Sequence, residues 1–335
     1  MSTVSGLPLA LSLGDPAGIG PELACAAWLA RRREALSPFF VCGGAEVLRG
    51  AAARIGLDAP VRAISEPSEA MGCFEDAVPV LGDADCAYRP GEPDDESAQV
   101  ALASLESATA LARKGAAGAL VTGPVAKAAL AQVGFAHPGQ TEFLADSCDL
   151  PPEDAVMMLA SPTLRTVPLT VHCALADVPG LLSTELIVHR ARIVAAALRA
   201  DFGIAAPRLA IAALNPHAGE GGKFGDEEAR IIAPAIETLC GEGIAVTGPH
   251  PADALFTPRA RPGYDAALCM YHDQALVPLK ALDFDAGVNV TLGLTIVRTS
   301  ADHGTAFDIA GKGLADPGAT IAAIRMAGEI AARRG

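Results

Sequence analysis

Aromatic side chains make up only 4% of this 335-residue chain, and there is a single tryptophan. The core must then be packed by Ala, Val, Leu and Ile, which suit a parallel sheet covered by helices. Positive charge is also scarce: 25 Lys and Arg stand against 39 Asp and Glu, a formal net charge of −14. This argues against a nucleic-acid surface and gives no help to a membrane one. An anionic substrate would need a local basic pocket. No apolar run reaches the roughly 18 residues of a spanning helix. The first residues, MSTVSGLPLALSLGDP, lack the basic n-region of a signal peptide. The eight cysteines form no CxxC pair, and several lie inside apolar runs, as Cys42 does in FFVCGG and Cys269 in ALCMY. Buried free thiols in a reducing cytoplasm fit this pattern better than disulfides or a zinc ribbon.

What the chain does have is alternation. Residues 8–13 read as a buried strand, followed by the glycine turn GDPAGIGPE and a helix with Pro21 in its first turn. Residues 38–42 read as a second strand, and 56–95 as short strands and loops ending in a helix capped at Ser97. AGALVTGPVAK reads as strand, turn and helix, GFAHPGQT as a loop, and Glu142 as a helix start. Residues 155–160 and 167–171 look like paired strands; a long helix spans 184–200, and a closing helix lies near 320–333. Strand–helix alternation gives an α/β fold. The length favours two subdomains. With no linker between them, a shared sheet that the chain crosses more than once is expected.

The stretch from Leu268 to Gly318 carries apolar runs (266–270, 288–290, 294–297) that end in polar clusters. α/β enzymes present site residues in this way, beyond the carboxyl ends of buried strands. Three histidines share that context, each one to three residues past an expected strand: His172 in VPLTVH, His217 in LNPHAGE and His272 in YHDQ. Converging neutral imidazoles make a divalent-metal site with a position left for substrate or water. Asp177, Asp253 and Asp273 are nearby second partners. For each histidine alone, a hydrogen-bonded loop residue is the competing reading. His137, His189 and His250 are read as structural.

Lys280 lies eight residues after His272, about two helical turns on, and Arg298 ends the expected strand TIVR. Together they could neutralise a phosphate or carboxylate. Asn289 is a polar residue in an apolar strand and needs a partner. Lys127, after Gly123-Pro124, could help a helix start hold an anion, although a simple tight turn explains the same residues. Neither GDPAGIGPE nor GEGGKFG is a Walker A motif, and DHGTAFDIAGKGLADPG (302–318) is not a Rossmann GxGxxG element.

In order, GDPAGIGPE, TGPVAK, TEFLA, TVHCALADVP, LNPHAGEGGKFGDEE, YHDQALVPLKAL and GVNVTLGLTIVRTSADHGTAFDIAGKG resemble the 4-hydroxythreonine-4-phosphate dehydrogenase family over nearly the whole chain. The resemblance implies a three-layer α/β/α, isopropylmalate dehydrogenase-like fold with a mixed sheet. Residues 1–130 and 300–335 would bind NAD, and 131–299 would supply the metal and substrate site and the dimer contact. It implies NAD- or NADP-linked oxidation of 4-phosphohydroxy-L-threonine, with loss of carbon dioxide, to 3-amino-2-oxopropyl phosphate in pyridoxal phosphate synthesis. A divalent metal such as Zn, Mg or Co would be held by His172, His217 and His272, the last supplied by the partner of a homodimer. Substrate contacts fall on Gln140, Thr141, Lys280, Asn289 and Arg298, with Lys280 a candidate acid or base. His303, Gly304, Asp308, Lys312 and Asp316 lie on the loop that resembles an adenosine-side NAD site. The family's usual GHTE is GQTE here, so Gln140 can hydrogen-bond an anion but carries no proton or charge. Related substrates remain alternatives: 4-phosphoerythronate or a cis-dihydrodiol. Two other classes also remain: a metal-dependent hydrolase or lyase without NAD, and an acyltransferase of the same superfold.

Overall fold

The structure, a computed structural model, describes residues 6–335, apart from the side chain of Asp285. The reading of a missing signal peptide falls partly on residues 1–5, outside the described residues. The chain forms two compact units, Met1–Pro152 with Leu294–Gly335, and Glu153–Gly293. Residues 131–152 and 294–299, expected in the second subdomain, go with the first unit, and they carry Gln140, Thr141 and Arg298.

The first unit opens with β1 (Leu9–Ser12) and α1 (Gly20–Ala30), with proline in the first turn of α1. β2 (Phe39–Cys42), α2 (Ala45–Ile55), β3 (Val61–Ile64), α3 (Ala70–Cys73) and β4 (Val78–Leu81) follow. α4 (Asp95–Arg113) starts three residues before Ala98, the first residue that a cap at Ser97 implies. Its cap is Asp94, not Ser97: the Ser97 amide donates to the Asp94 carboxylate at 2.8 Å and the Asp94 amide to the Ser97 hydroxyl at 3.1 Å. This reciprocal box satisfies two donors that a bare helix start leaves open. β5 (Leu120–Thr122), α5 (Lys127–Gln132) and α6 (Gln140–Ser147) come next. α6 begins at Gln140, so the GQTE tetrad is its first turn rather than a loop.

The second unit contains β6 (Val156–Ala160), β7 (Arg165–Pro168), α7 (Val178–Leu181), α8 (Thr184–Ala200) and β8 (Arg208–Ala212). It continues with α9 (Ala233–Gly241), β9 (Ala245–His250), α10 (Ala252–Leu255), β10 (Ala266–Cys269), α11 (His272–Leu282) and β11 (Val288–Leu292). The chain then returns to the first unit through β12 (Arg298–Ala301) and α12 (Gly318–Arg334). Residues 294–297 were expected to be a strand. They form its approach instead: Leu294, Ile296 and Val297 are buried, but the strand starts at Arg298. Arg298 therefore begins β12 rather than ending a strand.

In the first unit the strands run in the order β3-β4-β2-β1-β5-β12, all parallel. In the second the order is β11-β6-β7-β10-β8-β9. There β6 runs antiparallel to both neighbours, while β7, β10, β8 and β9 are parallel. Fully buried runs such as FFVC and AALC are what strands covered on both faces require. The core is aliphatic, with few aromatic anchors. One is Trp28 on α1, whose ring nitrogen donates to the Phe74 carbonyl at 2.7 Å while the Arg31 guanidinium lies 3.6 Å from the ring centroid.

All eight cysteines are free. Five are buried, Cys86 is half-buried, and Cys173 and Cys240 are exposed. Burial pushes the Cys25 and Cys42 thiols up to about 12, which makes them inert. Among the described residues no helix is long and apolar enough to cross a membrane.

Candidate active site

In the first unit the N-terminal motif and the 302–318 loop are built into each other. The Ile19 amide donates to the Thr305 carbonyl at 3.0 Å. A side chain at Gly18 would meet that same oxygen at 2.8 Å, so glycine is required for the approach. The Glu22 carboxylate accepts from the Gly311 amide at 3.2 Å, and Asp15 accepts from the Ala17 amide at 3.0 Å. Both carboxylates are buried, and desolvation raises both pKa values. GDPAGIGPE is thus a bracket for the loop.

On that loop Gly304, Asp308, Lys312 and Asp316 are exposed and His303 is half-buried. Asp316 accepts from the Gly318 amide at 2.7 Å at the start of α12. Among the described residues, the buried polar atoms here without a hydrogen-bond partner include the His303 Nε2 and the Tyr88 hydroxyl. Tyr88 borders the loop, since a side chain at Gly311 would lie 3.4 Å from its hydroxyl. Exposed polar side chains beside orphaned polar atoms are compatible with a bound dinucleotide.

Arg298 is buried at the start of β12. Its Nη2 donates to the Thr122 hydroxyl at 2.7 Å and to the Gln140 Oε1 at 2.9 Å. The Gln140 Nε2 donates to the Gly123 carbonyl at 3.3 Å. Gly123 is itself fixed: its amide donates to the Ser12 hydroxyl at 3.0 Å, and a Cβ there would sit 2.6 Å from the Gly14 nitrogen. Burial pushes the Arg298 guanidinium down to about 10, which leaves it protonated at neutral pH. Thr141 is the second residue of α6. Lys127 is exposed at the start of α5, and a Cβ on Gly139 would lie 3.5 Å from its Nζ. The sequence did not disclose Thr122, Ser12 or Gly123 as parts of this network; a polar residue at a strand's last position was the available signal.

In the second unit, register explains how the histidines approach one another. Pro168 of β7 pairs with Cys269 of β10, and Leu268 of β10 with Ile211 of β8. The carboxyl ends of three adjacent parallel strands are therefore level, with His172, His272 and His217 just beyond them. His172 and His272 come together, with ring centroids 6.1 Å apart. The His272 Nδ1 lies 2.7 Å from the Asp273 carboxylate. When Nδ1 carries the proton, that bond turns Nε2 outward as a lone-pair donor.

His217 lies on a separate loop beside Phe224, ring centroids 6.4 Å apart. Glu228, a buried carboxylate, clamps this loop by accepting from the amides of Leu214 and Asn215 at 2.9 and 2.7 Å and from the Asn215 side chain at 3.0 Å. His172 and His217 both have left-handed backbone, φ 46° and 54°. Such conformations are strained for residues other than glycine, and they concentrate at functional sites. Among the described residues no three His, Cys, Asp or Glu side chains form a metal-holding group. In donor chemistry the imidazoles fit a divalent cation; in position they fit as a pair, with the third on the same strand edge.

Lys280 is half-buried on α11, the helix that His272 begins, and Pro278 lies within that helix. Asn289 sits within β11, and its buried Oδ1 has no hydrogen-bond partner among the described residues. The other histidines have local contacts: His189 lies 2.8 Å from Asp154, His250 lies 2.9 Å from Thr247, and His137 packs on Phe135 and Phe143.

Residues 35–327 match the family model described as pyridoxal phosphate biosynthetic protein PdxA. A 4-hydroxythreonine-4-phosphate dehydrogenase from Erythrobacter litoralis is 64% identical over 327 residues, covering 98% of this chain and 97% of the relative. The crystal structure of the enzyme of that name from Klebsiella pneumoniae superposes with a TM-score of 0.87 at 38% identity, covering 98% of this chain and 99% of the other. A terephthalate 1,2-cis-dihydrodiol dehydrogenase from Burkholderia xenovorans gives a TM-score of 0.66 at 31% identity, covering 96% and 98%. This chain belongs to the PdxA family of pyridoxal phosphate biosynthetic proteins.

Proposed function

We propose that the chain oxidises 4-phosphohydroxy-L-threonine with NAD or NADP and promotes loss of carbon dioxide to give 3-amino-2-oxopropyl phosphate. The observation that carries this reading is Arg298: a buried cation in an acidic protein, oriented by Thr122 and Gln140 and suited to a phosphate or carboxylate. Thr141, Lys280 and Asn289 would complete the polar contacts to substrate, the Asn289 oxygen gaining a partner it does not have among the described residues. Lys280 would take or return the proton at the reacting hydroxyl. His303, Gly304, Asp308, Lys312 and Asp316 would meet the adenosine end of the dinucleotide.

His172, His217 and His272 would hold a divalent cation such as Zn, Mg or Co, which when bound supplies Lewis acidity toward the substrate hydroxyl. Asp273 would keep His272 in the ligating tautomer. We further propose a homodimer in which one chain's His272 joins the partner's His172 and His217. Exposed Leu175, Leu181, Phe224, Val277, Leu282 and Phe284, all on the second unit, support an apolar contact. Free cysteines support a cytoplasmic location.

The test is a panel of 4-phosphohydroxythreonine, 4-phosphoerythronate and a cis-dihydrodiol, each with NAD and a divalent metal, followed by nicotinamide absorbance. Reduction with the first substrate alone is expected. Reduction only with the diol would favour the dihydrodiol reading that the Burkholderia structure makes relevant. Turnover without reduction would indicate a hydrolase or lyase. In parallel, His217→Ala is expected to lose metal binding and turnover while keeping its fold. Normal metal-dependent activity in that variant would overturn the three-histidine set.

A further inference from the structure

Gln140 sits on the first turn of α6, where the sequence suggested a direct contact to substrate. Its amide is already used at both ends. Oε1 accepts from Arg298 at 2.9 Å and Nε2 donates to the Gly123 carbonyl at 3.3 Å. The carbonyl end of that bridge belongs to a rigid frame. Gly123 is tied to Ser12 through its amide and packed against Gly14 too closely to admit a side chain. On the other side, the two hydrogens of Arg298 Nη2 go to Gln140 and Thr122. The Gln140–Thr122 pair thus helps to set the direction in which the rest of this guanidinium faces.

We propose that Gln140 is the positioning residue of Arg298, aiming a guanidinium that binds the anionic end of the substrate, and is not itself a substrate contact. The proposal rests on the reading of Arg298 as an anion-binding group given above.

The amide is chemically suited to this task in two ways. As a neutral acceptor it orients the guanidinium without cancelling its charge, which a carboxylate at the same place would do. It also offers one acceptor and one donor at every pH. An imidazole could make the same bridge only when neutral; once protonated it has donors at both nitrogens and faces a guanidinium with like charge. Gln140 thus adds no titrating group of its own to the hold on Arg298 across the histidine range.

The experiment is a double-mutant cycle on kcat/KM for 4-phosphohydroxythreonine, with inorganic phosphate binding measured by calorimetry on the same proteins. Gln140→Ala is expected to raise KM roughly 10- to 100-fold, the weight of one charged hydrogen bond, with kcat nearly unchanged. In an Arg298→Ala background the same change should have no further effect, because nothing remains to be aimed. Arg298→Lys provides a second background if turnover of the alanine variant is too low. Additive effects of the two changes would overturn the proposal and make Gln140 a direct contact. Gln140→His adds an independent readout: the ratio of its KM to the wild-type KM should rise as pH falls through about 6.5, the phosphate and the metal ligands titrating alike in both proteins. A ratio that does not change with pH would also count against the bridge. Wild type that binds phosphate through Arg298 but fails to reduce NAD would refute the proposed reaction and leave the positioning role standing. Phosphate binding unchanged in Arg298→Ala would refute the anion reading itself.

Discussion

Arg298 and the loop that carries His217 are each held by a buried polar group's hydrogen bonds, yet the two units do this in opposite ways. In the first unit functional side chains bind one another: Arg298 to Thr122 and Gln140, and Gln140 to a backbone carbonyl locked at the end of β5. In the second unit the loop is clamped rather than the side chain. Glu228 gathers the amides of Leu214 and Asn215, and the left-handed turn that follows presents His217 to solvent. A group that must recognise a fixed anion benefits from a rigid frame, which avoids reorganisation on binding. A group whose partners come from elsewhere is better presented on an exposed turn, with its lone pair unspent.

That contrast can be broken most decisively at Arg298. Replacing it by alanine removes the buried cation, and losing two charged hydrogen bonds to substrate should lower kcat/KM by roughly 10²- to 10⁴-fold. A loss below tenfold in steady-state kinetics would mean the first unit's network is packing rather than recognition.

Next in size is Glu228→Ala. It strands buried donors on the loop that carries His217, so a destabilisation of about 3 kcal/mol is expected in denaturant unfolding. Metal affinity should fall with it, while phosphate binding at Arg298 is retained. Loss of phosphate binding to the same degree would erase the distinction between the units.

The smallest effect sharpens the picture at Glu22. Its folded pKa is raised by burial, so the stabilising form is the protonated one. Its contribution is complete below the unfolded value and is lost as pH rises through the folded one. Glu22→Gln should therefore match wild type in melting temperature at low pH and gain on it as pH rises above the carboxylate range. A difference that shrinks with rising pH would show that the ionised carboxylate, holding the Gly311 amide, is what the 302–318 loop needs.

The α/β alternation was legible because each buried parallel strand is a compact apolar run, and Thr184–Ala200 emerged as a helix with the boundaries its pattern suggested. Three boundaries were not, for local reasons. At α4 the Asp94–Ser97 box moved the start upstream, because either residue is a plausible cap by type alone. At α6 the helix took in Gln140 and Thr141, whose polarity resembles a loop. Near Arg298 the apolar run and the strand are adjacent rather than coincident, and hydrophobicity cannot separate a strand from its buried approach. For the site, strand ends pointed to His172, His217 and His272, but their separations depend on a left-handed turn of His217, Ala218, Gly219, Glu220 and Gly221 that no spacing rule encodes. The Gln140–Arg298 contact joins residues 158 positions apart and required the folded chain.

Trp28 gives the protein a built-in optical label. It is the only tryptophan, it is 4% exposed, and it belongs to the first unit. Its emission will shift to the red when that unit opens and will be blind to events confined to the second. A fluorescence melt that lags behind circular dichroism would show the unit of His172, His217 and His272 coming apart first, with no added dye or engineered probe.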